Sequence, residues 1–157
     1  MEADTNSSHW EKVVIQYGGK SVRGYLETRA WNTIEEILET PVLGTVERVR
    51  IRRPDSDLVE EIPINDVKAV FYVNSFEGDP ARTTINFHTR TPIVHGIWIR
   101  LEFLDGEVME GIVHNSIRYL IDPGFFLLPT DPTSNNKLVY VLKKWISDYR
   151  VLGLRNV

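Results

Sequence analysis

Apolar and polar positions alternate in short runs along most of this chain, and long helical periodicity is nearly absent. Val13, Ile15 and Tyr17 alternate with Val14 and Gln16, the period of a strand with one buried face. Gly18-Gly19 supplies the positive φ angles of a two-residue hairpin turn. The return strand runs through Val22, Gly24, Tyr25 and Leu26 to about Thr28. VERVRIRR, LVEEIPI and VKAVFYVNSF predict three more strands, parted by the turn Pro54-Asp55-Ser56-Asp57 and the short break Asn65-Asp66. Pro63 marks an edge position or a bulge.

One stretch breaks this pattern. In NTIEEILET, Asn32 can cap a helix and Glu35 stands three residues on, a capping-box signature. Ile34, Ile37 and Leu38 share one helical face, so a short helix is predicted from about Thr33 to Glu39, stopped by Pro41. It lies in an insert at about 29–45 and should cover the open end or flank of a small barrel. Residues 77–96 hold two prolines and two glycines with little periodicity, which predicts a connector over about 79–96.

The second half then writes the plan again. Ile99, Leu101 and Phe103 match Val13, Ile15 and Tyr17, and Asp105-Gly106 stands where Gly18-Gly19 stood. Gly111 matches Gly24, with one residue more before it. PGFFLLP takes the place of VRIRRP, and Val139 and Val141 that of Ile62 and Ile64. KKW replaces Asn65-Asp66, and ISDYRVL replaces VKAVFYV. The predicted class is therefore mainly β: two tandem five-stranded SH3-like or Sm-like small barrels packed together, with one short helix in the insert of the first. The first spans 11–78 and the second 97–157. A unit of roughly 60 residues is marginal alone, so the copies should pack together or share a strand. The competing architecture is one larger barrel or sandwich of all ten strands.

The recurring segment of alternate apolar residues ending in an aromatic, followed by a glycine turn, a valine and a second glycine, resembles the first segment of Sm-like proteins. VKAVFYVNSFEGDP at 67–80 and PGFFLLPTDPTSNN at 123–136 resemble a family of uncharacterised bacterial proteins. That resemblance covers most of 11–152, and the insert at 29–45 departs from it. It implies the fold and a bacterial source, and carries no activity. Sm-like proteins bind RNA through loop residues, but neither half matches their second, glycine-containing motif, so no RNA-contacting residue transfers.

Composition narrows the chemistry. Hydrophobic residues make up 42% of the 157 and charged residues 25%, ordinary for a globular protein. With no cysteine, a disulfide scaffold, a Cys-ligated metal and a thiol nucleophile are excluded. The segment MEADTNSSHWEK has no apolar region of a secretory signal, and no apolar run nears the roughly 20 residues of a membrane helix. A cytoplasmic protein without membrane contact is expected. The net charge of −4 counts against a protein that grips a phosphate backbone.

No catalytic or metal-binding constellation stands out. His9, His88, His95 and His114 form no HxH, HExxH or i, i+4 pair, so no metal or other cofactor is expected. There is no GxSxG and no Ser/His/Asp spacing, so no catalytic residue is named and a non-enzyme is expected. Arg48, Arg50 and Arg52 project from one strand face with Arg53 beside them. Such a row could meet RNA phosphates or a cyclic dinucleotide. Arg48–Arg52 fits the RxxxR of the PilZ family, while Asn74–Gly78 falls one residue short of that family's second element. The alternative is an outer face neutralised by Glu35, Glu36, Glu39 and Glu60.

The loop Thr130–Asn136 is a candidate interaction loop through Asp131, Asn135 and Asn136, which are also natural turn residues. The apolar PGFFLLP before it should be buried on both faces, against the other barrel or another chain. Taken together, the residues predict a protein-interaction or assembly module whose partner is another protein or itself. Binding of RNA or a cyclic dinucleotide through Arg48–Arg53 is the alternative.

Overall fold

The computed structural model describes residues 9–28, 47–76, 96–115, 120–131 and 133–155. Ten strands form there: β1 (His9–Tyr17), β2 (Lys20–Thr28), β3 (Arg48–Arg52), β4 (Val59–Pro63), β5 (Val67–Val73), β6 (Gly96–Phe103), β7 (Val108–Val113), β8 (Gly124–Pro129), β9 (Asn136–Leu142) and β10 (Ile146–Arg155). They make one antiparallel sheet in the order β10-β6-β7-β8-β9-β5-β1-β2-β3-β4. In place of two separate barrels there is thus a single open sheet, continuous through the pairing of β5 with β9. Each half keeps its five strands together, with its last strand beside its first. The helix expected at 33–39, its insert and nearly all of the connector lie outside the described residues.

Neighbouring strands approach closely at two glycines. A Cβ on Gly24 would stand 2.8 Å from the Arg52 carbonyl oxygen, and one on Gly111 2.6 Å from that of Leu128. Only a residue without a side chain lets β2 pass so close to β3, or β7 to β8. The two first hairpins differ in kind. Gly18 and Gly19 both have positive φ, as a two-residue turn of the hairpin type requires. In the second, the Gly106 amide donates to the Phe103 carbonyl at 2.9 Å and the Phe103 amide to the Glu107 carbonyl at 2.8 Å. That is a three-residue loop, Leu104 to Gly106, with only Gly106 at positive φ. It accounts for the extra residue before Gly111.

Two 3₁₀ turns, Ile64–Asp66 and Lys143–Trp145, precede the last strand of each half. The Ile64 amide donates to the Glu47 carbonyl, and the Lys143 amide to that of Pro123, both at 2.9 Å. By position in the fold Ile64 therefore answers to Lys143, and Ile62 to Val141. The sequence match of Ile64 with Val141 is out by two residues, because Ile64 has left the strand for the turn. Just beyond each turn the pairing skips a residue: Lys68 in β5 against β1, and Ser147 in β10 against β6.

Two apolar clusters make the core. One holds Val13, Ile15, Val49, Ile51, Ile62 and Val70 from the first half. The other holds Ile99, Leu101, Phe103, Val113 and Leu127 from the second. β8 is buried on both faces as its pattern predicts: Phe125 and Leu127 join the second cluster, Phe126 and Leu128 the first. β5 and β9 are likewise shared, Ala69 and Phe71 facing one core, Val70 and Tyr72 the other. The junction of the halves is therefore core, and the apolar strand PGFFLLP is covered within the chain.

Candidate interaction site

The outermost strands of the sheet are β4 and β10, and among the described residues no strand pairs with their outer sides. β10 lies against β6 with Tyr149 opposite Leu101, Val151 opposite Ile99 and Leu154 opposite Ile97. Cross-strand partners share a face, so these three side chains continue the face that Ile99 and Leu101 bury in the second core. Yet Val151 is 53% exposed and Leu154 68%. They form an apolar margin of that core, where among the described residues no strand flanks β10 on its outer side. On the opposite face β10 carries Asp148 and Arg150, whose Nε lies 3.5 Å from the Asp148 carboxylate.

At the other edge, β4 pairs with β3 so that Val59 opposes Arg52, Glu60 opposes Ile51 and Glu61 opposes Arg50. Val59 is 52% exposed and Leu58 before it is more so. Long edges with apolar side chains and unpaired backbone groups are templates for an added strand.

Three of the four arginines, Arg50, Arg52 and Arg53, are already engaged. Arg50 Nε lies 3.2 Å from Glu61 Oε2, and Arg53 Nε 3.5 Å from Glu60 Oε1. The Arg52 guanidinium stacks over the rings of Trp10 and Tyr25, at 4.8 and 5.2 Å. Arg48 is exposed at the start of β3 opposite Pro63. The four thus share a region, and Glu60 from the expected set, joined by Glu61, supplies neutralising charge. Glu35, Glu36 and Glu39 lie outside the described residues.

In the Thr130–Asn136 loop, Asp131 makes a local turn and Asn135 holds the first half. Asp131 accepts from the Thr133 amide at 2.9 Å and its hydroxyl at 2.7 Å, and these bonds hold its carboxyl below the usual range. Asn135 clasps the first half: its Nδ2 donates to the Ser75 carbonyl at 2.9 Å and its Oδ1 accepts from the Ser75 amide at 3.2 Å. The Asn135 carbonyl also accepts from the Asn74 amide at 3.0 Å. Asn136 opens β9, its amide on the Ser134 hydroxyl at 3.0 Å.

A cleft of about 620 Å³ lies between the two first hairpins, lined among others by Gly18, Gly19, Lys68, Leu104, Asp105 and Trp145. Lys20 and Lys68 both line it, and Lys68 is held by side chains of the second half. The ammonium sits 4.5 Å from the centre of the Phe103 ring, 2.7 Å from Asp105 and 2.5 Å from Glu107. Burial alone would lower its pKa, but the hydrogen bonds to Asp105 and Glu107 outweigh that and raise it. The same bond from Lys68, with one from the Glu107 amide, holds the Asp105 carboxyl low. Two carboxylates thus hold Lys68, which ties the first half to the turn of the second. Sequence reasoning missed it because partners 37 and 39 residues away leave no local signal. Among the described residues no group of acidic and histidine side chains could hold a metal ion. No helix there is long and apolar enough to cross a membrane.

Fold and surface together define an all-β protein whose sheet ends in two open edges. The chain belongs to the family of unknown function DUF6982, which it matches over residues 9–153. No curated protein and no solved structure matches it.

Proposed function

We propose that this protein is a non-enzymatic interaction or assembly module of the bacterial cytoplasm, made of two copies of one small SH3-like or Sm-like β unit. The carrying observation is the pair of open edges with exposed apolar side chains, Leu58 and Val59 at β4 and Val151 and Leu154 on β10. Duplication is supported by the shared strand order, the matching 3₁₀ turns with their equivalent backbone bonds, and the matching bulges. Such edges accept an extended strand, whose main chain supplies hydrogen bonds and whose alternate side chains supply selectivity. RNA or cyclic-dinucleotide binding through Arg48–Arg53 is the less supported reading, because Arg50 and Arg53 already face carboxylates and Arg52 is stacked.

The experiment is affinity capture from native lysate with the natural chain and with Val59→Lys/Val151→Lys. Both positions are exposed, so the variant folds, which circular dichroism checks. The natural chain should retain partner protein, its own or another, that the variant loses. Equal retention by both would remove the edges from the reading, and a measured turnover would remove the non-enzymatic one.

A further inference from the structure

We infer that the strand this protein adds to its edge comes from a second copy of the chain: β4 of one copy pairs antiparallel with β10 of the next. This rests on the duplication proposed above. The chain already contains one such junction, because β5, the last strand of the first half, pairs antiparallel with β9, the fourth strand of the second. The strands in the corresponding roles are β10, last of the second half, and β4, fourth of the first. These are the two that end the sheet.

The internal junction supplies the register. It sets Ala69 opposite Val141, Val70 opposite Tyr140, Phe71 opposite Val139 and Tyr72 opposite Leu138. The 3₁₀ turns equate Ile64 with Lys143, which carries β9 onto β4 and β5 onto β10. The pairing between copies then sets Asp148 opposite Ile62, Tyr149 opposite Glu61, Arg150 opposite Glu60 and Val151 opposite Val59. Two of these pairs are complementary as they stand. Arg150 meets a carboxylate, and the two exposed valines cover each other. The faces agree as well. At the internal junction Leu138 and Tyr140 leave their own core and complete that of the first half. In the same way Val59 would reach across to Val151, at the open margin of the neighbour's second core.

The pairing is heterologous, since it joins two different edges, and two joined copies keep one β4 and one β10 free. It therefore propagates from copy to copy, into a ring where the rotation closes and a filament where it does not. Being shorter and more charged than the internal junction, it is the weaker and more salt-sensitive of the two.

The chain has no cysteine, so engineered thiols report the register without background. Val59→Cys and Val151→Cys are prepared singly, mixed and oxidised. Directly opposed strand residues lie within the roughly 4.4–6.8 Å between Cα atoms that a disulfide spans. The mixture should yield a covalent dimer, each single variant alone should not, and the doubly substituted chain should give a ladder. Light scattering of the natural chain should give at least twice 18.1 kDa, falling to one chain with Val151→Lys. A dimer from Val151→Cys alone would mean that β10 pairs with itself, and would overturn the proposal. So would an unlinked mixture, or a natural chain that stays single at high concentration. If the chain stays single while lysate capture still depends on Val59 and Val151, self-pairing fails and the interaction module stands.

Discussion

The internal junction and the open edges occupy the same structural roles and are built of different chemistry. β5 reads VKAVFYV and, apart from Lys68, is wholly buried; β9 reads NKLVYVL and is buried from Leu138 onward. β10 opens with ISDYRVL and β4 reads VEEIP, with charges where the junction has Phe71, Val139 and Tyr140. A strand apolar on both faces cannot be left in water, so the first pairing is permanent and folds with the chain. A strand with alternate charges can be left open, as edge strands must be in a protein that stays soluble alone. The fourth and last strands of the two halves are thus core where β5 meets β9 and surface at β4 and β10.

The sharpest test of that contrast is truncation at equivalent positions. Phe71→Ala removes a ring buried in the second core and should cost about 3–5 kcal/mol in denaturant unfolding. Arg150→Ala, its counterpart on the open edge, should change stability of the single chain by under about 0.5 kcal/mol. Equal effects would mean that β10 is covered as β5 is.

Glycines give the next largest difference. Gly111→Ala forces a Cβ against the Leu128 carbonyl and the Leu127 side chain and should cost about 1–3 kcal/mol. Gly153→Ala on β10 meets only Trp98, at an ordinary 3.7 Å, and thermal unfolding should barely move.

Within the loop, Asn135→Ala removes both side-chain hydrogen bonds of the clasp on Ser75 and should cost about 1–3 kcal/mol. Asp131→Ala, confined to a local turn, should cost less than Asn135→Ala in the same assay.

The smallest expected effect is a pH profile. Asp105 has its pKa lowered when folded, so its contribution is present above the ordinary value of 3.8 and fades as pH falls through the lowered one. Lys68 has its pKa raised, so its contribution is present below 10.5 and fades as pH rises through the raised one. The stability difference between the natural chain and Lys68→Met should therefore be flat in the middle range and shrink at both ends. A difference that does not vary with pH would show that the lysine acts by packing on Phe103.

Much of the frame was legible in the residues. Alternation at Val13–Tyr17, the paired glycines and the apolar run Phe125–Leu128 predicted the strands, the first turn and the two-sided burial of β8. The extra residue before Gly111 was visible too, although its cause, a three-residue loop, needed the backbone. The match of Ile64 to Val141 failed because alternation continues through a 3₁₀ turn without a break in hydrophobicity. The roles of Arg48–Arg53 stood open in the sequence, since whether Glu60 and Glu61 reach them depends on the pairing of β3 with β4. Asp131 makes the local turn that its residue type predicts, whereas the side chain of Asn135 bonds Ser75, 60 residues away.

What the sequence determined by itself is local: which residues make strands and where the chain turns. Those features depend on a side-chain period of two and on glycine conformation, both of which act between near neighbours. What only the tertiary structure decided is which strand lies beside which. Backbone pairing is nearly indifferent to residue identity, so β5 could in principle have closed its own barrel. Burying Phe71 and Val139 together, on the far side of the sheet from Val70 and Tyr140, is possible only if the two halves join edge to edge. That packing makes one sheet of the two units and leaves β4 and β10 at its ends.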